Sequence, residues 1–409
     1  MSSTGSSKTI TWQSSNVNYV KVEFSSGSGK TWSVLRSSIQ ADSFFVWNPV
    51  PPNLETKGAM VKITDVMNSH IKDSSLAFTI TQLKLLAPLG GEYWQSGTLQ
   101  KIKWHAGNGI NTINLEYSLN NGQSWETIEG AQNYIASADS FAWNIPTTGS
   151  NEVKVRIRET YDGTINSVSP DTFTIGWVNV VSPNGGEVVQ AGLPLNIRWQ
   201  NSDNIHNVKV EIYNEPKNQV VAWTEVASSL KQINIVIPAN LSSDSLKIRL
   251  SASNSNYSII DYSNNYFSCM MLNLLTPVVG SNWRALTEKN ITWEASSNNN
   301  TVKLEFSSDA GVTWNNIVTN IPASQLNYIW TVPNNVSSNC LVRILNEEFP
   351  NIKDSSGIFT IYIPEATLLS PNGGEFYQVG KTYKIKWDHL YLTTLKIEFS
   401  SDNGANWEV

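Results

Sequence analysis

The sequence predicts an all-β protein: a tandem, elongated array of β-sandwich domains, with incomplete domains at both ends. Three observations carry that expectation. An I-x-W element recurs as Ile10-Thr11-Trp12, Ile102-Lys103-Trp104, Ile197-Arg198-Trp199, Ile291-Thr292-Trp293 and Ile385-Lys386-Trp387, and its tryptophans lie 92, 95, 94 and 94 residues apart. A fixed spacing of this kind is the signature of a repeat architecture. Within each period, short runs alternate apolar and polar residues, which gives a strand one buried face. Long helix-forming runs are missing, and Ser, Asn, Gly and Pro clusters punctuate the strands.

The period divides the 409 residues into five units: 1–82, lacking its first strand; 83–176; 177–270, the most divergent; 271–363; and 364–409, the N-terminal part of a further unit. Each complete unit is long enough to bury a core of its own.

Unit four shows the order of elements. Leu274 to Trp283 reads as a first strand broken by Pro and Gly, as suits a bent edge strand. Asn290–Trp293 follows, with Ile291 and Trp293 on one face. Val302–Phe306 alternates cleanly, and SSDAGVTW then makes a turn that carries Trp314. Tyr328–Pro333, Cys340–Ile344 and Gly357–Ile361 complete seven strands, which two sheets packed face to face accommodate economically. The order recurs in units two and three, where Ile235 stands in place of Trp143 and Trp330. The linkers Thr81–Lys84 and Tyr362–Ala366 are short and lack a Gly/Ser tether, so a stiff arrangement is expected.

Composition excludes several classes. Charged residues make up 15% and the net charge is −6, with no basic run, which argues against general nucleic-acid affinity. No apolar run approaches the roughly 18 residues of a membrane span. Met1 is followed by SSTGSS, which is not a secretion signal. The two cut-off ends predict a fragment of a longer product. A second reading is an open first unit that accepts a strand from a neighbouring chain.

The string S-P-N-G-G-E-x(5)-G, then I-x-W, V-x-[IL]-E-[FY]-S-x-[DN]-x-G-x-x-W and W-x-[IV]-P, resembles a bacterial immunoglobulin-like repeat found in tandem in large secreted and surface proteins. It is similar to the N-terminal Ig-like domain of the fungal cell-wall-synthesis family, the Ser/Thr-rich GPI-anchored type linked to β-1,6-glucan. The resemblance implies Ig-like or fibronectin-like sandwiches, and accessory modules without an assigned catalytic residue. SSDAGVTW and SSDNGANW also look like the Asp-box of sialidases and other propellers. A propeller would repeat that hairpin every ~40–50 residues, so here it reads as a folding device.

The residues that stand out have structural readings. Trp12, Trp104, Trp199, Trp293 and Trp387 share a face with Ile and are expected in the core, as are Trp47, Trp143 and Trp330. Trp32, Trp125, Trp314 and Trp407 close the hairpins. Trp177, Tyr161, Tyr213 and Tyr391 lie outside the repeat frame and are the aromatics expected to face solvent. Glu23, Glu116, Glu211 and Glu305 fall on the outward face of the third strand, and Lys62, Arg156, Arg249 and Arg343 on that of the sixth. Because those strands are neighbours in such a sandwich, the pairs Glu23–Lys62, Glu116–Arg156, Glu211–Arg249 and Glu305–Arg343 are expected across an exposed face, each contributing about 0.2–1 kcal/mol.

Cys269 and Cys340 occupy apolar places in different units and are expected as free thiols. The four histidines share no repeat column, and no nucleophile elbow, zinc helix or phosphate loop is present. The turns at Asp309 and Asp402 read as self-capped rather than as Ca²⁺ sites. No catalytic residue, metal or cofactor is therefore expected. The expected function is a non-catalytic extracellular spacer or adhesion module of a secreted or cell-surface bacterial protein, binding glycans or surface proteins. The alternatives are an accessory region of an extracellular hydrolase and a self-assembling filament or sheath subunit.

Overall fold

The computed structural model describes residues 7–41 and 44–409, together with the backbone of Ser2 and Ser3. The fold is all-β, a tandem of Ig-like sandwiches. In unit two the I-x-W strand, Leu99–Ala106, lies between Leu83–Ala87 and Ser140–Asn144 in a three-stranded sheet. The facing sheet runs Tyr93–Gln95, Phe173–Gly176, Ser150–Glu159, Thr112–Ser118 and Glu126–Thr127. Between them, Ile102, Trp104 and Trp143 meet Ile113, Leu115, Val153, Val155 and Ile157 in one core. Units three and four repeat the arrangement around Trp199 and Trp293.

The first strand serves both sheets, which raises the strand count above the seven expected. Leu83–Ala87 pairs with the I-x-W strand, whereas Tyr93–Gln95 runs parallel to the closing strand. The Pro-Gly-Gly bend between them explains the N-G-G-E string. Glu92 Oε1 and Oε2 accept the Leu89 and Gly90 amides, both at 2.7 Å, and Glu187 and Glu375 repeat the staple. Gly90 sits at φ +120°, and a Cβ there would come within 2.4 Å of Asp171, so a side chain is excluded twice over. A short hairpin strand, Asn166–Val168 in unit two and Lys353–Ser355 in unit four, adds a further element.

Each central tryptophan is fixed at both ends. Trp104, Trp199 and Trp293 are almost fully buried, and their indole N–H groups donate to Ala136 O, Ser228 O and Ala323 O at 2.8, 3.3 and 2.8 Å. Those carbonyls open short 3-10 turns, so a buried polar N–H finds its partner in the turn that crosses above it. Trp47, Trp143 and Trp330 are buried as well.

Three expectations need correction at the ends. Unit one is not without a first strand: Ser2–Ser3 pair in parallel with Ile80–Thr81, the place Tyr93–Gln95 hold in unit two. Only the half that would flank Lys8–Thr11 has no counterpart among the described residues, and Trp12 is only half-buried, although its indole still donates to Ala41 O at 2.8 Å. Trp387 is not in a core but 41% exposed. Residues 364–409 contribute the pair Glu365–Ser370 and Lys386–Leu390, and no facing sheet covers it among the described residues. Trp407 is exposed for the same reason.

Candidate interaction face and unit joints

The Glu and Arg columns meet in direct register. Glu23 stands opposite Lys62, Glu116 opposite Arg156, Glu211 opposite Arg249 and Glu305 opposite Arg343. The contacts are short: Lys62 Nζ lies 3.1 Å from Glu23, Arg156 Nη2 2.7 Å from Glu116, Arg249 Nε 2.6 Å from Glu211 and Arg343 Nε 2.5 Å from Glu305. The expectation of an exposed face is overturned, because all four carboxylates are buried and Glu211 is wholly inaccessible.

Two layers bury them. A second cation holds the other carboxylate oxygen: Lys21, Lys209 and Lys303 in units one, three and four, at 3.1, 2.7 and 2.9 Å. In unit two Asn114 replaces that lysine, and Arg158 supplies the charge at 3.0 Å. The hairpin tryptophans then cover the first cation from outside: Trp32 over Lys62, Trp125 over Arg156 and Trp314 over Arg343, at 4.2, 4.2 and 4.1 Å. In units one, two and four the column is therefore a carboxylate, a cation and an indole stacked on the outer face of the larger sheet. Burial pushes the Glu23, Glu211 and Glu305 pKa values upward, but hydrogen bonds and charge from their paired cations outweigh it and hold all three below the ordinary value. These are structural pins, with every acidic oxygen occupied.

The acidic turns are equally saturated. Asp309 Oδ1 accepts Ser307 Oγ at 2.7 Å and Thr313 N at 2.9 Å, and Oδ2 accepts Thr313 Oγ1 at 2.5 Å. The Ser307 and Thr313 hydrogen bonds bring the Asp309 pKa down to about 2. Asp402 repeats the pattern with Ser400 and Asn406. Among the described residues no three His, Cys, Asp or Glu gather as metal ligands. Cys269 and Cys340 are free and buried, and burial lifts the Cys269 thiol to about 12.

Polar contact with unspent capacity lies where units meet. One backbone bond recurs at the first three of the four joints: Gly107 N to Gln82 O at 2.8 Å, Ser202 N to Trp177 O at 3.0 Å and Ser296 N to Met271 O at 2.9 Å. At the second and third of these an asparagine reaches back: Asn204 Nδ2 donates to Ile175 O at 2.9 Å and Asn298 Nδ2 to Cys269 O at 3.1 Å. A glutamine reaches forward: Gln95 Oε1 accepts Ile260 N at 2.9 Å, and Gln190 pairs with both the N–H and the C=O of Lys353, at 3.0 and 2.9 Å. The sequence carries these glutamines at one register position, Gln95, Gln190 and Gln378, each two residues before a glycine. Their column went unread because their partners lie in the next unit. A cavity of about 360 Å³ at the joint of units two and three is lined by Tyr93, Asn204, His206 and Asn254.

Unit three departs from its sisters on the outer face. Its hairpin, Asn214–Asn218, has no Asp-box and no tryptophan, and Tyr213 stacks on Arg249 at 4.2 Å instead. Tyr213, expected to face solvent, is consequently buried, and Trp177 is half-buried; Tyr161 and Tyr391 are exposed. Trp223 and Tyr257, which the repeat pattern did not single out, stand exposed on either side of Lys209.

Residues 182–267, within unit three, match the family described as Kre9/KNH-like N-terminal Ig-like domain. No curated protein is similar to the chain in sequence. Among solved structures the chain is similar to fibronectin(III)-like modules of Clostridium thermocellum CbhA, at 19% identity over 46% of this chain and 93% of that one, with a TM-score of 0.18. It is also similar to the titin I-band fragment I67–I69, at 8% identity over 69% and 98%, TM-score 0.25. The insect immune protein hemolin matches at 11% identity over 88% and 96%, TM-score 0.23.

Proposed function

We propose that this chain is a non-catalytic spacer and adhesion module of a secreted or cell-surface protein, in which tandem Ig-like sandwiches are held in fixed succession. The observation that carries this reading is the repeated joint. The same backbone bond recurs at three joints, the reaching asparagine and glutamine recur at two of them, and polar side chains that satisfy a neighbour's backbone oppose reorientation. The repeated charged residues support it from the other direction, since Glu23, Glu116, Glu211 and Glu305 are each held by two cations, an arrangement that occupies these four carboxylates structurally. The match of unit three to an Ig-like domain type that resembles cell-wall proteins supports a surface setting.

Small-angle scattering on the whole chain tests this. The expected profile fits a single arrangement of units, and Gln95→Ala with Gln190→Ala is expected to require an ensemble while leaving the thermal unfolding of the units unchanged. A wild-type profile that already demands freely reorienting units would overturn the reading.

A further inference from the structure

We propose that the outer sheet face of unit three, around Trp223 and Tyr257, is a binding platform for a neutral polysaccharide chain. This deepens the adhesive half of the reading above by naming a site and a ligand class.

The first argument is that Trp223 does not cover the cation standing opposite the column's Glu, as the indoles of units one, two and four do. In units one, two and four an indole is spent covering the cation of the Glu column at 4.1–4.2 Å. In unit three Tyr213 does that work at 4.2 Å from Arg249. The tryptophan sits instead on the strand Gln219–Ala227, directly opposite Glu211. At that register position the other units carry Val34, Thr127 and Asn316. Trp223 lies 5.1 Å from Lys209 Nζ yet remains 59% exposed, an expensive placement for an indole.

The second argument is that the partner ring is held there by a strained loop. Tyr257 lies in Ser253–Ser258, where Asn254, Asn256 and Tyr257 all take left-handed φ, at 63°, 48° and 62°. For a tyrosine that conformation is costly, and such strain collects at functional positions. It places the Tyr257 hydroxyl to accept from Lys209 Nζ at 2.8 Å and to donate to Glu211 Oε1 at 3.4 Å, with the ring 4.9 Å from Arg249 and 41% exposed. Lys209, whose Nζ also holds Glu211 at 2.7 Å, stands 5.1 Å from the Trp223 ring and 5.3 Å from the Tyr257 ring, so two exposed rings approach one cation that still carries a third N–H.

The chemistry selects the ligand. Flat rings separated by polar groups suit the alternating C–H faces and hydroxyls of a pyranose chain. Charge complementarity narrows the class further: Lys209 and Arg249 face Glu211 and Glu225, and Lys247 pairs with Glu215 at 3.4 Å. The platform is balanced, which fits an uncharged chain better than a uronate, a sulfated glycan or nucleic acid.

Affinity electrophoresis of the full chain through gels containing neutral β-glucan, xylan or mannan, with alginate and heparin as charged counterparts, tests the proposal. The expected result is retardation by at least one neutral polysaccharide. Trp223→Ala should weaken it by roughly tenfold or more, the scale of losing one well-placed aromatic contact, while Trp314→Ala in unit four leaves it unchanged. Trp223→Ala is expected to keep the wild-type thermal unfolding, because the side chain is largely exposed. Retardation by alginate or heparin alone, no retardation by any polymer, or equal loss in both variants would overturn it. Those outcomes leave the scattering test of the joints untouched, so the two readings fail separately.

Discussion

At the scale of single residues, the outer face of each complete sandwich is governed by a buried carboxylate. A carboxylate taken from water is costly unless its oxygens are fully paired, and each Glu here meets two cations, one of them roofed by an aromatic ring. Removing one cation leaves a buried charge half-compensated. Because Lys303 still holds Glu305, Arg343→Ala is expected to destabilise unit four by about 1–3 kcal/mol, with Glu305→Gln costing less because the unpaired charge goes too. Hydrogen exchange resolved by unit in increasing urea, on the chain with all its tryptophans, would read this; a change below ~1 kcal/mol, as for an exposed pair, would contradict it.

The pH dependence has a definite sign. The Glu23, Glu211 and Glu305 pKa values are depressed below the ordinary 4.5, so the unfolded chain binds protons first. Their stabilisation is present above about pH 4.5 and is lost as pH falls below it. Thermal unfolding between pH 6 and pH 3 should show that loss, and Glu211→Gln should flatten the part belonging to unit three. The columns were legible in the sequence as period-2 positions on two neighbouring strands. Their burial was not, because it comes from Trp32, Trp125 and Trp314 folding back over the sheet, and from Lys21, Lys209, Lys303 and the substitute Arg158, whose column was not read.

At the scale of the element, the I-x-W strand is the centre of each sandwich. Trp293 is buried in a closed core with its indole N–H satisfied, whereas Trp387 lies on a two-stranded sheet. Trp293→Ala should cost about 3–5 kcal/mol in unit four, and Trp387→Ala should leave every other unit unchanged. Hydrogen exchange resolved by unit checks both at once. Comparable losses at the two sites would mean that residues 364–409 are packed against a facing sheet. The strand's five-fold recurrence made it plain in the sequence, and its neighbour, the N-G-G-E bend, was recognised as a bend. That the bend carries one strand from sheet to sheet was hidden, since it depends on Gly90 and Gly185 fitting against Asp171 and Asn265, some 80 residues later in the chain.

For the whole molecule, the central claim is that successive units are locked rather than tethered. Short linkers pointed to stiffness, but the bonds that enforce it were beyond sequence reading: Gln95 and Ile260 are 165 residues apart, and Gln190 and Lys353 are 163. The glutamines recur at one register position, but nothing local in the sequence points to the backbone each one bonds in the next unit. Spin labels at Gln123→Cys in unit two and Val312→Cys in unit four would report on the locking directly, since both lie on exposed hairpin turns and the native thiols are buried. The expected wild-type result is one narrow distance distribution, which broadens when Gln95, Gln190, Asn204 and Asn298 are all changed to Ala. A broad distribution in the wild-type chain, or one that the four substitutions leave unaltered, would contradict the account.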